Sequence, residues 1–215
     1  RLAQEVGNVR SGLRVANVAQ SRHEQVEGLV GETEAGARRL RETWGLLSST
    51  VAEFVQHHQE SGDGNQLRVT LSTRKQPAWS GVEGRWEAFN EALLEAERLV
   101  DRLLLALEPL EAASLVDSLL ELRSWHDRAG ELRGRVESFV VSPDIDETVY
   151  WVNLARQERT PVLCAAPLRV GLILDESLFS QKRCVVMTSA TLSVGGTMDY
   201  FCRTVGLSDA TELVV

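Results

Sequence analysis

The chain has 215 residues, 43% hydrophobic and 25% charged, an ordinary balance for a soluble globular protein of one large or two small domains. It lacks an apolar run of about 18 residues and its N-terminus is polar, which excludes a conventional membrane span and a visible signal peptide. The net charge of −8 excludes a uniformly basic nucleic-acid-coating protein, although it permits a local basic track. The three widely spaced cysteines indicate packing residues in a reducing, cytoplasmic setting, and no metal-ligand spacing is present.

The first part of the chain, up to about residue 140, has the periodicity of amphipathic helices. We expect four long helices, over residues 1–30, 34–59, 81–107 and 111–140. Gly31 and Pro109 mark expected breaks, because glycine weakens a helix and proline interrupts it. The apolar positions do not keep a strict heptad, which favours an elongated bundle of roughly antiparallel helices over a parallel coiled coil.

A turn and a short extended arm separate the second and third predicted helices. SGDGN at 61–65 is rich in turn residues, and LRVTLSTR at 67–74 alternates apolar and polar side chains, which predicts a strand. Positive charge beside an aromatic ring suits single-stranded nucleic acid, through phosphate pairing and base stacking. The candidate DNA-binding residues are therefore Arg68, Arg74, Lys75 and Trp79. The alternative is a solvated surface, which is the interpretation favoured for Arg38, Arg39 and Arg41.

The composition changes at SPDIDET, residues 142–148, which predicts a helical domain over 1–140 and a second domain over 141–215. Three segments of the second domain predict strands, namely TVYWVNLAR, PVLCAAPL and RCVVMTSAT, and the last is expected to be buried because it is rich in β-branched residues. TMDYFCRTVGL predicts a short helix that ends at Gly206. Alternating strands and helices indicate an α/β segment, which about 70 residues leave incomplete.

The segment VGLILDESLF at 170–179 has two interpretations. An apolar run that ends in Asp175 and Glu176 is similar to a Walker B strand, whose acidic end holds magnesium. However, the chain contains no G-x-x-x-x-G-K-[ST] phosphate loop. The apolar residues are mostly one-sided at helical spacing, so we favour a helix with both carboxylates exposed.

The predicted buried strand ends in a cluster of hydroxyl residues, Thr188, Ser189 and Thr191, around Ala190. Such hydroxyls satisfy backbone groups where a strand ends, or they bind something that arrives at its carboxyl end, where open α/β sheets place ligands and catalytic loops. The residues alone leave both interpretations open.

Taken in order, residues 149–207 resemble the XPD/DinG-like branch of superfamily 2 DNA helicases. Trp151 takes the place of a tryptophan in an edge strand of that family, and APLRVGLILDESLF is similar to the stretch and helix before its motif III. TSATL at 188–192 is similar to motif III itself, and DYFCRTVGL to the helix that follows. The resemblance implies an α plus α/β fold: an elongated helical Arch-like insertion over 1–140, then an incomplete RecA-like end of the first motor domain over 141–215.

The resemblance also implies an activity, that of an ATP-dependent 5′-to-3′ DNA helicase in DNA repair or replication. Motif III of such motors relays the nucleotide state to the DNA-gripping surface, which assigns coupling to Thr188, Ser189, Ala190 and Thr191. The Arch domain would gate single-stranded DNA. The implied partners are single-stranded or forked DNA and the rest of the motor, in the cytoplasm at the bacterial nucleoid.

The implied cofactors, ATP and magnesium, belong to the full-length parent. This chain lacks the Walker A and DEAH-type motifs, so we expect it to bind neither and to be inactive alone. It has no four-cysteine set, and whether the parent carries an iron–sulfur cluster stays open.

Two other functions stay open. The helices could form a non-enzymatic module that binds a protein partner, or the parent could be a superfamily 2 translocase that moves on duplex DNA without unwinding it. A truncated α/β segment is also expected to expose an apolar strand edge, which predicts self-association of the chain.

Overall fold

The structure is a computed structural model that describes residues 1–16, 18–58, 66–154, 160–189, 191–207 and 210–213. It is 68% helical with a small antiparallel sheet. The chain divides into two compact units. The helical unit comprises Arg1–Pro143 and Tyr150–Cys164, and the second unit comprises Asp144–Val149 and Ala165–Val215. Within the described ranges, no helix combines the length and apolar composition that a membrane span requires.

The described helices of the helical unit are α1 (Leu2–Val15), α2 (Gln20–His58), α3 (Leu71–Arg74), α4 (Trp79–Leu107) and α5 (Val116–Val140). The predicted break at Pro109 is confirmed, because α4 ends at Leu107 and two short 3₁₀ turns, Glu108–Leu110 and Ala113–Leu115, lead into α5. Proline cannot continue the hydrogen-bond ladder of α4, and its fixed φ suits a tighter turn.

The predicted single helix over residues 1–30 is wrong, since α1 and α2 are separate helices. Ala16 is extended (φ −71°, ψ 134°), and the chain then turns back so that α1 lies along α2. Arg10 of α1 fastens the pair: its guanidinium donates to Glu27 at 3.1 Å and to Glu34 at 2.6 Å. These hydrogen bonds, led by the one to Glu27, raise the pKa of Arg10. Turning back lets the apolar faces of both helices share one core, which a single straight helix cannot do.

The predicted break at Gly31 is also wrong, because α2 passes through this residue without interruption. An interior glycine weakens a helix by roughly 1 kcal/mol relative to alanine. Burial of neighbouring apolar residues offsets this loss: Val26 and Val30 are both 0% exposed. The predicted end of this helix at Gln59 and the turn at 61–65 lie outside the described residues.

The core of the helical unit consists of two clusters of buried apolar side chains. The first joins α1, the early part of α2 and the late part of α4, and includes Val6, Val9, Val26, Val30, Val100, Leu103 and Leu107. The second joins the late part of α2, the early part of α4, the end of α5 and the sheet, and includes Val55, Trp79, Trp86, Phe89, Phe139, Tyr150 and Val152. α2 and α4 each contribute to both clusters, and α4 is the central helix of the unit because it packs against both α2 and α5.

The sheet has the order β1-β2-β3, formed by Gln66–Arg68, Thr148–Leu154 and Pro161–Pro167. The strands predicted at TVYWVNLAR and PVLCAAPL are therefore confirmed over Thr148–Leu154 and Pro161–Pro167. Ala155 and Arg156 of the first prediction lie outside the described residues, and Leu168 of the second lies beyond the end of β3. β1 pairs antiparallel with β2 in a register that places Arg68 opposite Trp151. Trp151 thus lies on the central strand of the described sheet, in contrast to the edge strand that the resemblance implies.

The predicted arm is a strand only at its start. After β1 the chain forms α3, so the extended conformation expected over residues 71–74 is wrong. The cause is a capping box: the Thr70 hydroxyl accepts from the Thr73 amide at 3.2 Å, and the Thr73 hydroxyl accepts from the Thr70 amide at 3.1 Å.

The second unit contains short helices. α6 (Gly171–Leu174) runs into a π-helical turn at Asp175–Phe179, which confirms the helical interpretation of VGLILDESLF over the Walker B strand. α7 (Asp199–Val205) ends at Gly206 with φ 79°, as predicted. α6 and α7 meet backbone to backbone, since a Cβ placed on Gly206 would lie 2.7 Å from the Gly171 Cα.

Candidate functional site

The segment predicted as a buried strand, RCVVMTSAT, is not a strand over its described residues, and that prediction is wrong. The chain is irregular there, and Val186 is 84% exposed. A run of β-branched residues forms a strand only where neighbouring strands supply hydrogen bonds and cover. The described strands pair with one another and none pairs with this segment.

The hydroxyl residues therefore lie on an exposed loop, which we call the hydroxyl loop after Thr188, Ser189 and Thr191. Thr188, Ser189 and Thr191 are all exposed, and Ala190 lies outside the described residues. The Ser189 hydroxyl accepts from the Thr191 amide at 3.2 Å and lies 3.1 Å from the Thr191 hydroxyl. This local turn satisfies one backbone donor, as the simpler interpretation required. Within the described part of the chain, these hydroxyls make no other hydrogen bond.

A tight turn fixes the chain directly after this loop. Val194 donates its amide to the Thr197 carbonyl at 2.9 Å, and Gly195 and Gly196 have φ values of 65° and 87°. Positive φ at both central residues is the conformation of a type I′ hairpin turn, which glycine adopts without steric strain. The loop thus runs into a defined bend before α7.

A cavity of about 640 Å³ in the second unit is lined by the apolar residues that precede the hydroxyl loop and by α7. Val185, Met187, Leu192 and Phe201 are among its lining residues. The same apolar residues that predicted a buried strand therefore surround an open cavity.

The side chain of Arg74, a predicted DNA-binding residue, is partly buried against the helical core. Its guanidinium donates to the Val69 carbonyl at 3.1 Å and to the Phe139 carbonyl at 2.8 Å. It also lies 5.8 Å from the Trp79 ring centroid and 5.1 Å from that of Tyr150, within cation–π range. Burial lowers the pKa of this guanidinium from its ordinary value.

Trp79, the predicted stacking residue, is also a core residue. It is 1% exposed, its indole N–H donates to the Val140 carbonyl at 3.3 Å, and its ring meets Phe54 edge-on at 5.1 Å. A ring enclosed in this way has no face for a base. The other two candidates, Arg68 and Lys75, are exposed, so their predicted contact with DNA stays a prediction.

The cysteines divide between two environments. Cys184 is exposed, which contradicts its predicted packing role, whereas Cys164 and Cys202 are partly buried. Burial, followed by the neighbouring Glu212 carboxylate, raises the pKa of the Cys202 thiol.

Two tryptophans within the predicted helices are partly exposed. Trp44 of α2 is 37% exposed, Trp125 of α5 is partly buried, and both line a cavity of about 520 Å³ in the helical unit. A signal was present in the sequence, since each tryptophan stands three residues from an arginine, Arg41 or Arg128.

Two curated proteins of Bacillus subtilis (strain 168) are similar to part of this chain. Over 170 residues, 75% of this chain and 18% of the relative, it is 28% identical to a protein named "3′-5′ exonuclease DinG". Over 69 residues, 32% of this chain and 10% of the relative, it is 35% identical to one named "Probable ATP-dependent helicase YpvA". The chain thus spans less than a fifth of the length of either relative.

These similarities relate part of the chain, at low identity, to DinG/XPD-like helicases. No family model matches the chain. No solved structure matches it at a significant level.

Proposed function

We propose that this chain is part of an ATP-dependent DNA helicase of the XPD/DinG-like type, with 5′-to-3′ polarity. The observation that carries the proposal is the partial similarity to two proteins whose names include DinG and an ATP-dependent helicase. The ordered series that ends in TSATL and DYFCRTVGL supports the same family independently of those names. The exonuclease activity named for the first relative belongs to that protein.

Within this proposal, residues 1–140 act as an Arch-like domain that gates single-stranded DNA, and residues 141–215 end the first motor domain. The long helices of the first region and the position of TSATL after it support this division. The exposed side chains of Arg68 and Lys75 would contact DNA phosphates, while Arg74 and Trp79 hold the arm to the core.

The hydroxyl loop acts in the parent as the coupling element between the nucleotide state and the DNA grip. The exposure of Thr188, Ser189 and Thr191 supports this role, because exposed hydroxyls exchange hydrogen-bond partners at little cost. The residues present here do not form an ATP site, since the chain has no phosphate loop. Nucleotide chemistry is therefore assigned to other parts of the parent.

The test compares the full-length parent with its Ser189→Ala/Thr191→Ala variant in DNA-stimulated ATP hydrolysis and in strand unwinding. We expect the rate of ATP hydrolysis to persist while the rate of strand unwinding falls at least about tenfold. A tenfold change corresponds to a loss of about 1.4 kcal/mol of coupling free energy. Thr204→Ala is the matched control, because this hydroxyl lies in the same unit and, among the described residues, donates to the Tyr200 carbonyl of its own helix.

The alternative functions predict different results in this assay. A parent without DNA-stimulated hydrolysis would overturn the motor proposal and favour the non-enzymatic helical module. Hydrolysis stimulated by duplex DNA without strand separation would favour the duplex translocase. Equal unwinding by the double variant and the control would remove the coupling role from the hydroxyl loop.

A further inference from the structure

A groove of about 520 Å³ lies in the helical unit between α2 and α5. Both helices pack against α4, which supplies Phe89 and Leu93 to the groove. The lining residues from the two flanking helices are Ala37, Leu40, Arg41 and Trp44 of α2, and Trp125, Arg128, Ala129 and Leu132 of α5. A volume of this size falls in the range of about 300–1,000 Å³ that is usual for ligand sites.

The two flanking helices present the same pair of side chains to the groove. Arg41 and Trp44 are three residues apart on α2, and Trp125 and Arg128 are three residues apart on α5, so each pair shares one helix face. Trp44 packs against Phe89 at 5.4 Å between ring centroids, yet 37% of Trp44 remains exposed. Each side of the groove thus carries an indole ring beside a guanidinium.

The charge of the groove is positive and mostly uncompensated. Its lining contains no aspartate or glutamate. Across the described part of the chain, Arg41 has no ion-pair partner, and Arg128 donates to the hydroxyl and carbonyl of Ser124 rather than to a carboxylate. Arg1, which also lines the groove, is paired with Glu121 at 2.8 Å. In a chain of net charge −8, an apolar groove with two unpaired guanidinium groups suits an anionic ligand with flat apolar parts.

We propose that this groove binds unpaired bases of single-stranded DNA, which stack on Trp44 and Trp125 while Arg41 and Arg128 pair with the adjoining phosphates. The choice of DNA rests on the proposed function, but the groove shares no lining residue with the hydroxyl loop or the arm. Bases supply the flat faces and phosphates the negative charge that this lining matches. An acidic partner helix offers the charge but lacks flat faces for two tryptophans.

The test uses the 215-residue chain, a fluorescein-labelled oligothymidylate of about 16 nucleotides, and an abasic strand of equal length. Trp44→Leu and Trp125→Leu keep apolar bulk and remove the aromatic face. We expect each to weaken oligothymidylate binding by about 5- to 150-fold and to leave the weaker abasic binding unchanged. Trp44→Phe should restore most of the affinity, and circular dichroism melting checks that each variant is folded.

The arginines are tested by the dependence of binding on salt. Arg41→Ala should lower the slope of log affinity against log salt by about 0.7, as expected for one lost phosphate contact on a single strand. The matched control is Arg39→Ala on the same helix, because Arg39 is exposed and does not line the groove. An equal effect of both changes would overturn the assignment of Arg41.

Several outcomes would overturn the proposal that the groove binds bases and would leave the proposed helicase function intact. If Arg68→Ala/Lys75→Ala abolishes binding and Trp44→Leu does not, the DNA contact is on the arm. If the folded chain fails to bind oligothymidylate while the parent does, the groove is not a base site. If sedimentation shows a dimer that Trp44→Leu dissociates, the groove holds a second copy of the chain. A parent that binds no DNA and hydrolyses no ATP would instead defeat the proposed function itself.

Discussion

The two compact units differ in how their apolar residues are used. The helical unit buries valines, leucines and aromatic rings in two continuous clusters, whereas no described residue of the second unit is more than partly buried. Both regions carry apolar segments, and the run Val185–Met187 of the second unit includes a valine that is 84% exposed. Apolar content alone therefore does not decide burial.

The difference follows from how each secondary structure satisfies its backbone. A helix completes its hydrogen bonds within itself, so α2, α4 and α5 need only one another to cover their apolar faces. A strand depends on neighbours for its hydrogen bonds and its cover. β1, β2 and β3 have such neighbours, and the segment before the hydroxyl loop has none among the described strands.

The largest expected effect comes from truncating a core leucine. Leu103 of α4 is 0% exposed, so Leu103→Ala should lower the free energy of unfolding by about 2–5 kcal/mol. Leu105 on the same helix is 69% exposed, and Leu105→Ala should change it by no more than about 0.5 kcal/mol. Leu172 of the second unit, 77% exposed, should behave like Leu105 in urea denaturation. If Leu172→Ala lowered the free energy of unfolding as much as Leu103→Ala does, the two units would not differ in how they use their apolar residues.

The next largest effect concerns the arm, which packs against the helical core through Arg74. Arg74→Met should lower the free energy of unfolding by roughly 2–4 kcal/mol, because it removes two charge-assisted hydrogen bonds and the contacts with aromatic rings. Arg68→Met, at an exposed position of the same arm, is the matched control and should leave stability within about 0.5 kcal/mol. Thermal denaturation of both variants measures the difference. Equal stability would mean that the arm is held by its apolar residues alone.

Two glycine substitutions, one in each unit, test the packing of α6 against α7. Gly171→Ala places a Cβ 2.9 Å from the Gly206 Cα and should weaken the contact of α6 with α7 by about 1–3 kcal/mol. Gly28→Ala in α2 meets nothing within 4 Å and should instead stabilise the helical unit by about 0.5–1 kcal/mol. Hydrogen exchange of the two segments reports each change separately. The same sign for both substitutions would contradict the close approach of α6 and α7.

The smallest effect is a difference in thiol reactivity within the second unit. The thiolate is the reactive form, so the exposed Cys184 should react with iodoacetamide faster than Cys202, whose thiol pKa is raised by burial and by Glu212. Glu212→Gln should raise the rate at which Cys202 reacts, which narrows the difference in rate between the two thiols, and should leave the rate at Cys184 unchanged. Peptide mapping by mass spectrometry follows both sites, and faster labelling of Cys202 would show that the segment around Cys184 is covered.

Helices and paired strands were predictable from the sequence because their signals are local. The 3.6-residue periodicity located α4 and α5, Pro109 located their separation, and the segment TVYWVNLAR located β2. The break after α1 was not predictable, since no glycine or proline marks Ala16 and tertiary packing of α1 on α2 decides it.

The candidate DNA residues show how an element boundary changes an interpretation. With α4 expected to begin at Gly81, Trp79 stood outside the apolar stripe of that helix and its basic neighbours suggested a surface. With α4 beginning at Trp79, the ring joins Val82 and Trp86 on one buried face. The hydroxyl cluster was visible in the sequence, but its exposure was not, because burial of a strand depends on residues far away in the chain.

The uninterrupted length of α2 has a mechanical consequence. At about 1.5 Å per residue, its 39 residues form a rod of roughly 58 Å. For a rigid lever of that length, a rotation of about 5° about one end displaces the other by about 5 Å. Val26 near its start and Val55 near its end lie in different core clusters, so the rod transmits a small tilt at one cluster to the other as a displacement. A hinge at Gly31 would bend in response to such a tilt, whereas the continuous helix carries the tilt from one end to the other.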